Sequence, residues 1–233
     1  MKRRTELYPH EQLMLLALRD DKGTLDSKAS MHSFALGGAL LAELSIHGRI
    51  RIDDTKKAMV DLADRRPLGE PVLDDCLERV ATAKRRARAS TWVQRFANLK
   101  RLRHRVAAGL CRQGILRDDE DTVLLFFTRK VYPTIDPKPE RELLDRLRDA
   151  VLGDAPRLDS DVALVVTVAN ASGLLAAHFD KATLKRRKRR LEAIADGDLV
   201  GAATKQAVQA AQQAAMAAVS AATAAAVVSS ASG

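Results

Sequence analysis

The chemistry this chain offers is the capture of anions. The stretch LKRLRHRVAAGLCR, Leu99 to Arg112, carries Lys100, Arg101, Arg103, His104, Arg105 and Arg112. At helical spacing Lys100, Arg103 and His104 share one face, while Leu99, Leu102, Val106 and Leu110 turn inward. A bound phosphate needs several donors converging from rigid backbone, and this face supplies two or three. A solvated cationic face uses the same residues. A second run, KRRKRR from Lys185 to Arg190, follows Lys181. Such a run suits nucleic acid or acidic lipid. On a helix its charges also spread around the whole circumference, leaving Leu184, Leu191 and Ile194 to pack as in an ordinary solvated helix. A third feature is apolar: Val123, Leu124, Leu125, Phe126 and Phe127 lie between the acidic run Asp118 to Asp121 and the pair Arg129 and Lys130. A core strand has this character. So does an exposed hairpin tip built for membrane insertion or for contact with a second copy.

Catalytic and metal chemistry find no foothold. His10, His32, His47, His104 and His178 lack companions at metal-ligand spacing. Ser172 sits in NASGL, without the GxSxG elbow, and Gly37 with Gly38 lacks any nucleotide-loop pattern. The carboxylates fall in solvated runs. No enzyme, cofactor or metal is expected. The two cysteines, Cys76 and Cys111, lie among apolar residues in helical patterns and read as small buried hydrophobes rather than a disulfide or zinc site.

The elements that must position these residues follow from composition and periodicity. With 46% hydrophobic residues but 3% aromatic, the core of this 233-residue chain must be Leu, Val, Ile and Ala, which favours packed helices. Net charge is +9, which draws nucleic acid, anionic lipid or acidic proteins without choosing among them. Helices are expected over His10–Arg19, Met31–His47, Val72–Lys84, Thr91–Ala97, Leu99–Arg112, Glu140–Leu152, Ser160–Phe179 and Ala182–Ala195. Gly37 and Gly38 inside the second helix point to close packing or a bound group. Arg49 to Asp53 alternates like a strand, with 56–66 as its returning partner, and Thr122 to Thr128 is a strand or hairpin. Lys84 to Arg88 is a basic link. The Ala-rich end from Ala214 to Val228 is too weakly apolar for the ~20-residue span a membrane requires, so it reads as a helix made by propensity. The start MKRRTELYPHEQ lacks the apolar stretch of a signal peptide. The expected organisation is one mainly α domain over 1–233, with a basic arm at 1–7 and an Ala-rich helix at 201–233.

Seven segments, in order, resemble the Golgi phosphoprotein 3-like family. They are LMLLALRDDKGTL, LLAELSIHGRIRI, PLGEPVLDDCL, TWVQRF, RHRVAAGLCRQGIL, VLLFF and VANASGLL, and the likeness runs from about Thr5 to Asp198. The resemblance implies a central helical bundle wrapped by amphipathic helices, with short β-hairpins. It implies a peripheral membrane protein that reads phosphatidylinositol 4-phosphate and retains client proteins. The apolar hairpin would lie beside the lipid pocket and serve in self-association. By alignment the pocket's two basic residues at the start of the basic helix fall on Lys100 and Arg103. Its Trp position falls near Lys28, which exchanges a ring for a cation, and its Arg position falls on Gly37. Trp92 belongs to a different element. The Ala- and Arg-rich composition and short arm look bacterial. The expected partners are thus an anionic phospholipid membrane, a second copy through the hairpin, and protein clients. The expected place is the cytoplasm, peripherally on a membrane. A nucleic-acid partner is the rival, held back by the lack of stacking aromatics and of any reading motif.

Overall fold

The computed structural model describes residues 6–19, 22–53, 55, 57–123, 127–201, 205–206, 208–209 and 212. Most of the expected Ala-rich helix, nearly all of the basic arm, and Leu124, Leu125 and Phe126 therefore lie outside the described residues. Among the described residues the chain is mainly α, with helices α1 Pro9–Ala17, α2 His32–Ile46, α3 Pro71–Ala81, α4 Ala89–Ala97, α5 Leu102–Arg112, α6 Lys138–Leu152, α7 Ser160–Ala171, α8 Leu175–His178, α9 Lys181–Arg186 and α10 Lys188–Ala195. Strands β1 Ile50–Ile52, β2 Met59–Leu62 and β3 Ala87–Arg88 form one antiparallel sheet, and β4 Asp119–Val123 with β5 Phe127–Val131 form a hairpin. Arg51 of β1 is exposed between buried Ile50 and Ile52, as the alternation requires, and Arg51 pairs with Asp61 of β2.

Two classes of helix follow from residue pattern. Helices α1, α2 and α7 are apolar around most of their circumference and form the centre. Helices α3, α4, α6 and α10 each carry one apolar stripe and lie outside it. Every residue of α1 is buried, and it packs on α2, α5, α6 and α7. That burial takes in His10, Glu11 and Gln12, three polar residues that must find partners inside. His10 donates its backbone N–H to Glu43 Oε1 at 2.9 Å and faces the same carboxylate through Nδ1, 2.9 Å away. Its Nε2 lies 3.8 Å from Glu70, whose carboxylate caps α3 by accepting Val72 N–H and Leu73 N–H. Glu11 accepts from Gln113 at the end of α5 and from the Tyr8 N–H ahead of Pro9. Gln12 donates to the Leu7 carbonyl. Burial pulls the His10 pKa down, but Glu43, Glu70 and Glu11 outweigh it and leave it above the usual 6.5.

The close approach of α2 and α4 explains one glycine of the pair. A Cβ on Gly37 would lie 2.6 Å from the Val93 carbonyl oxygen and 3.0 Å from the Ala97 nitrogen. Gly37 is therefore a helix-packing contact. The cation expected from the family pattern is replaced here by backbone proximity.

Three expected helices end differently. The basic helix starts at Leu102 rather than Leu99, because Arg101 takes a left-handed φ of 58° and Leu99 to Arg101 form a turn. The apolar stretch Ser160–Phe179 breaks after Ala171, where Gly173 turns with φ 78°. Ala182–Ala195 divides at Arg187, whose guanidinium reaches the Val151 and Gly153 carbonyls and Asp154 at the end of α6. Arg190 donates to the Ala150 and Ala155 carbonyls of the same end. Helix ends leave carbonyls without intrahelical partners, and these two arginines supply them. Half-buried Arg187 and Arg190 are thus structural, while Lys185, Arg186, Lys188 and Arg189 stay exposed. Near the C-terminus Val208 is fully buried, and Gln206 donates to the Ile52 carbonyl of β1. No helix among the described residues is long and apolar enough to cross a membrane.

Glu43→Gln removes the counter-charge from a buried ring and should cost about 3–5 kcal/mol in urea unfolding. His10 gains a proton affinity on folding, so its stabilisation is full below pH 6.5 and fades as pH rises through the higher folded value. The gap between wild type and variant should therefore be wider near about pH 6 than near about pH 9. Gly37→Ala should destabilise by about 1 kcal/mol or more, overpacking outweighing the gain in helix propensity.

Candidate functional site

The basic segment, the hairpin and the start of α2 meet at one corner, and each is fixed by a contact that the sequence supplies. Leu99 is buried and anchors the turn, leaving Lys100 and Arg101 exposed beside it. Lys100 is thus carried by the turn, one residue before the left-handed Arg101, and not by the helix face itself. Non-glycine residues rarely adopt this conformation, and where they do, strain is held by surrounding structure. Arg103, half-buried on the first turn of α5, points its guanidinium toward the Lys130 carbonyl of β5 at 3.5 Å. His104 meets the Tyr132 hydroxyl at 2.7 Å, tying α5 to the end of the hairpin.

The hairpin is held from its other side by the loop after α1. Tyr132 donates its N–H to the Gly23 carbonyl at 2.9 Å. Gly23 has φ 57°, and a Cβ there would lie 2.2 Å from Tyr132 and Pro133 backbone atoms, so only glycine fits. Along the hairpin, acidic β4 faces basic β5: Asp121 pairs with Arg129 at 2.7 Å, and Asp118 with Lys130 at 2.9 Å. These pairs neutralise the hairpin's own cations. Val123 and Phe127 form its last described pair.

The start of α2 completes the corner. His32 lies close enough to feel Arg103: burial lowers its pKa below 6.5, the Ala29 carbonyl partly offsets this, and the Arg103 charge lowers it further. No side chain caps the helix at Met31. The His32 N–H donates to the Ala29 carbonyl and the Phe34 N–H to the Met31 carbonyl, so what this helix start offers an anion is chiefly its dipole. Lys28, in the turn ahead of His32, spends its ammonium on the Ala176 carbonyl of α8 at 2.9 Å. It is exposed but committed, and an anion would have to draw it away.

The remaining charges sort clearly. Arg105 pairs with Asp75 at 2.6 Å, a half-buried bond that fixes α5 to α3. Arg117 pairs with Asp119. Lys100, Arg101 and Arg103 have no carboxylate partner among the described residues. Burial lowers the His104 pKa first, the charges of Arg103, Arg101 and Lys130 lower it further, and Asp118 opposes them. A separate cavity of about 430 Å³, lined by Glu6, Tyr8, Glu43, His47 and Asp161 among others, is acidic and shares no residue with this corner. There burial, with Asp159, Glu43 and Glu6, raises the Asp161 carboxyl to about 6. No group of three or more metal-ligating side chains forms among the described residues.

Arg103 lies between the hairpin and the start of α2, Lys100 is carried on the exposed turn three residues before it, and Lys28 lies on the chain just before α2. Gly37 lies elsewhere, against α4. Arg101 was named in the basic stretch but not placed on the face with Lys100 and Arg103, and the position of His32 and the lack of a side-chain cap on α2 were passed over. The missing cap was legible, since Met31 is not a capping residue. The left-handed Arg101 was not, because nothing in its neighbours calls for it.

Comparison with known proteins agrees with this architecture. The chain is 29% identical over 135 residues to the vacuolar protein sorting-associated protein 74 of Schizosaccharomyces pombe, a match that covers 50% of this chain and 40% of that protein. The chain therefore spans well under two thirds of that relative's length. The sequence profile of the Golgi phosphoprotein 3 family matches residues 10–211, nearly the whole described fold. With a match of that extent, the chain belongs to the Golgi phosphoprotein 3 family.

Proposed function

We propose that this protein docks peripherally on anionic membranes and acts there as an adaptor for other proteins. A lipid phosphate sits against Lys100, Arg103 and the start of α2, with Lys28 recruited from its carbonyl partner. The observation that carries this reading is a set of cations without carboxylate partners among the described residues, beside the start of α2 and a hairpin whose sequence carries the apolar run 123–127. By family the lipid is phosphatidylinositol 4-phosphate. Val123, Leu124, Leu125, Phe126 and Phe127 dip into the interface and provide a contact for a second copy. Each Lys or Arg near an anionic surface contributes about 1 kcal/mol, so two or three hold only weakly. Hairpin insertion and self-association supply the rest. The name of the yeast relative refers to vacuolar protein sorting. Carrying client proteins on a membrane is in keeping with that name.

A nucleic-acid partner is less well supported. Arg187 and Arg190 are spent on the end of α6, and Arg105 on Asp75, which thins the charge available to a phosphate backbone.

Flotation with vesicles of phosphatidylcholine, with and without phosphatidylinositol 4-phosphate, tests the reading. Lys100→Glu combined with Arg103→Glu should weaken partitioning by about thirtyfold or more, the equivalent of ~2 kcal/mol. Flotation that survives this change but is lost on reversing Lys185, Arg186, Lys188 and Arg189 would place the lipid site elsewhere.

A further inference from the structure

A second basic surface lies apart from the proposed lipid corner. Between the end of α3, the loop after it and the outer face of α4 runs an open groove of about 1030 Å³. Four cations line it: Arg79, Lys84, Arg85 and Arg95, with no acidic residue among its lining. Arg79 is held by Asp75 at 3.0 Å. Lys84, Arg85 and Arg95 are exposed and have no carboxylate partner among the described residues. Trp92 also lines the groove, 3% exposed, with Arg95 resting over its ring at 4.6 Å from the centroid. The Trp92 indole N–H is buried without an acceptor. That N–H is closed to solvent, so recognition in the groove rests on its three cations without carboxylate partners.

We infer that this groove binds an acidic peptide segment of a partner protein, in extended form, through Lys84, Arg85 and Arg95. Charge complementarity sets the sign of the occupant. Shape and lining choose its class. The groove follows α4 from Thr91 to Asn98, about 10 Å at the helical rise, which matches three extended residues and exceeds a lone phosphate. Its lining includes no exposed apolar side chain that could enter a bilayer. Trp92 lies beneath Arg95 and presents no open face for stacking a nucleic-acid base. An extended acidic chain places carboxylates on alternate residues along one side, within reach of cations on both walls.

The surface does not depend on the membrane reading, and its test separates the two. The probe is a fluorescein-labelled heptapeptide alternating Glu and Ser, added to the full chain and followed by anisotropy. Trp92 is the sole tryptophan, so its emission reports the same event without a label. Expected are saturable binding that weakens with salt, a shift in Trp92 emission, and no binding of the Gln analogue. Lys84→Glu with Arg85→Glu, both exposed, should weaken binding about tenfold or more. Lys100→Glu with Arg103→Glu should leave it unchanged. The assignment is overturned by absence of saturable binding, by indifference to the Lys84 and Arg85 reversals, or by loss of binding in the Lys100 and Arg103 variant. Displacement of the peptide by a single-stranded oligonucleotide or by phosphatidylserine vesicles at lower concentration overturns it in favour of that partner.

Discussion

The buried contact between His10 and Glu43 is the constraint on which the arrangement rests. Helix α1 has nine residues, all buried, and its first turn carries three polar side chains into the core. An isolated helix of that length is marginal in water, so its stability must come from packing. Burying those polar groups without partners would cost more than packing returns. The partners come from different elements: Glu43 from α2, Glu70 from the cap of α3, and Gln113 from the end of α5. One polar hub therefore fixes the positions of three helices around a fourth.

The site inherits that order. Gln113 holds the end of α5 against α1, and Arg105 holds its middle against α3, so the turn at its start has a set direction. The loop leaving α1 passes Gly23 beneath the hairpin, which brings β5 to the same turn. Net charge alone suggested an anion-seeking protein, yet the useful distinction lies in how that charge is spent. Some arginines close helix ends or tie helices together, as Arg187, Arg190 and Arg105 do. Lys100, Arg101 and Arg103 remain uncommitted to any carboxylate among the described residues, and Arg103 lies beside the start of α2.

Much of the fold was legible because α1, α2 and α7 are apolar nearly all round, while the outer helices keep a single stripe. Arg51 between Ile50 and Ile52 gave the strand by alternation alone. The start of α5 was not legible, since Arg101 is a good helix former held in a left-handed conformation by its surroundings. The break at Arg187 was hidden for the same reason: its side chain answers carbonyls thirty-odd residues earlier in the chain. The glycine pair announced close packing, and the backbone of α4 decided that reading over a bound group at Gly37. Lys84, Arg85 and Trp92 were each visible in sequence, but their convergence on one groove is a property of how α3 and α4 pack.

The central claim is that the corner of Lys100, Arg103 and the start of α2 faces the membrane together with the hairpin. Amide hydrogen exchange on the full chain, with and without vesicles containing phosphatidylinositol 4-phosphate, maps that face directly. The account predicts slowed exchange at 28–34, 99–104, 119–123 and 127–131, and little change along α9 and α10. Protection confined to 181–195, or none beyond that given by phosphatidylcholine vesicles, would contradict it.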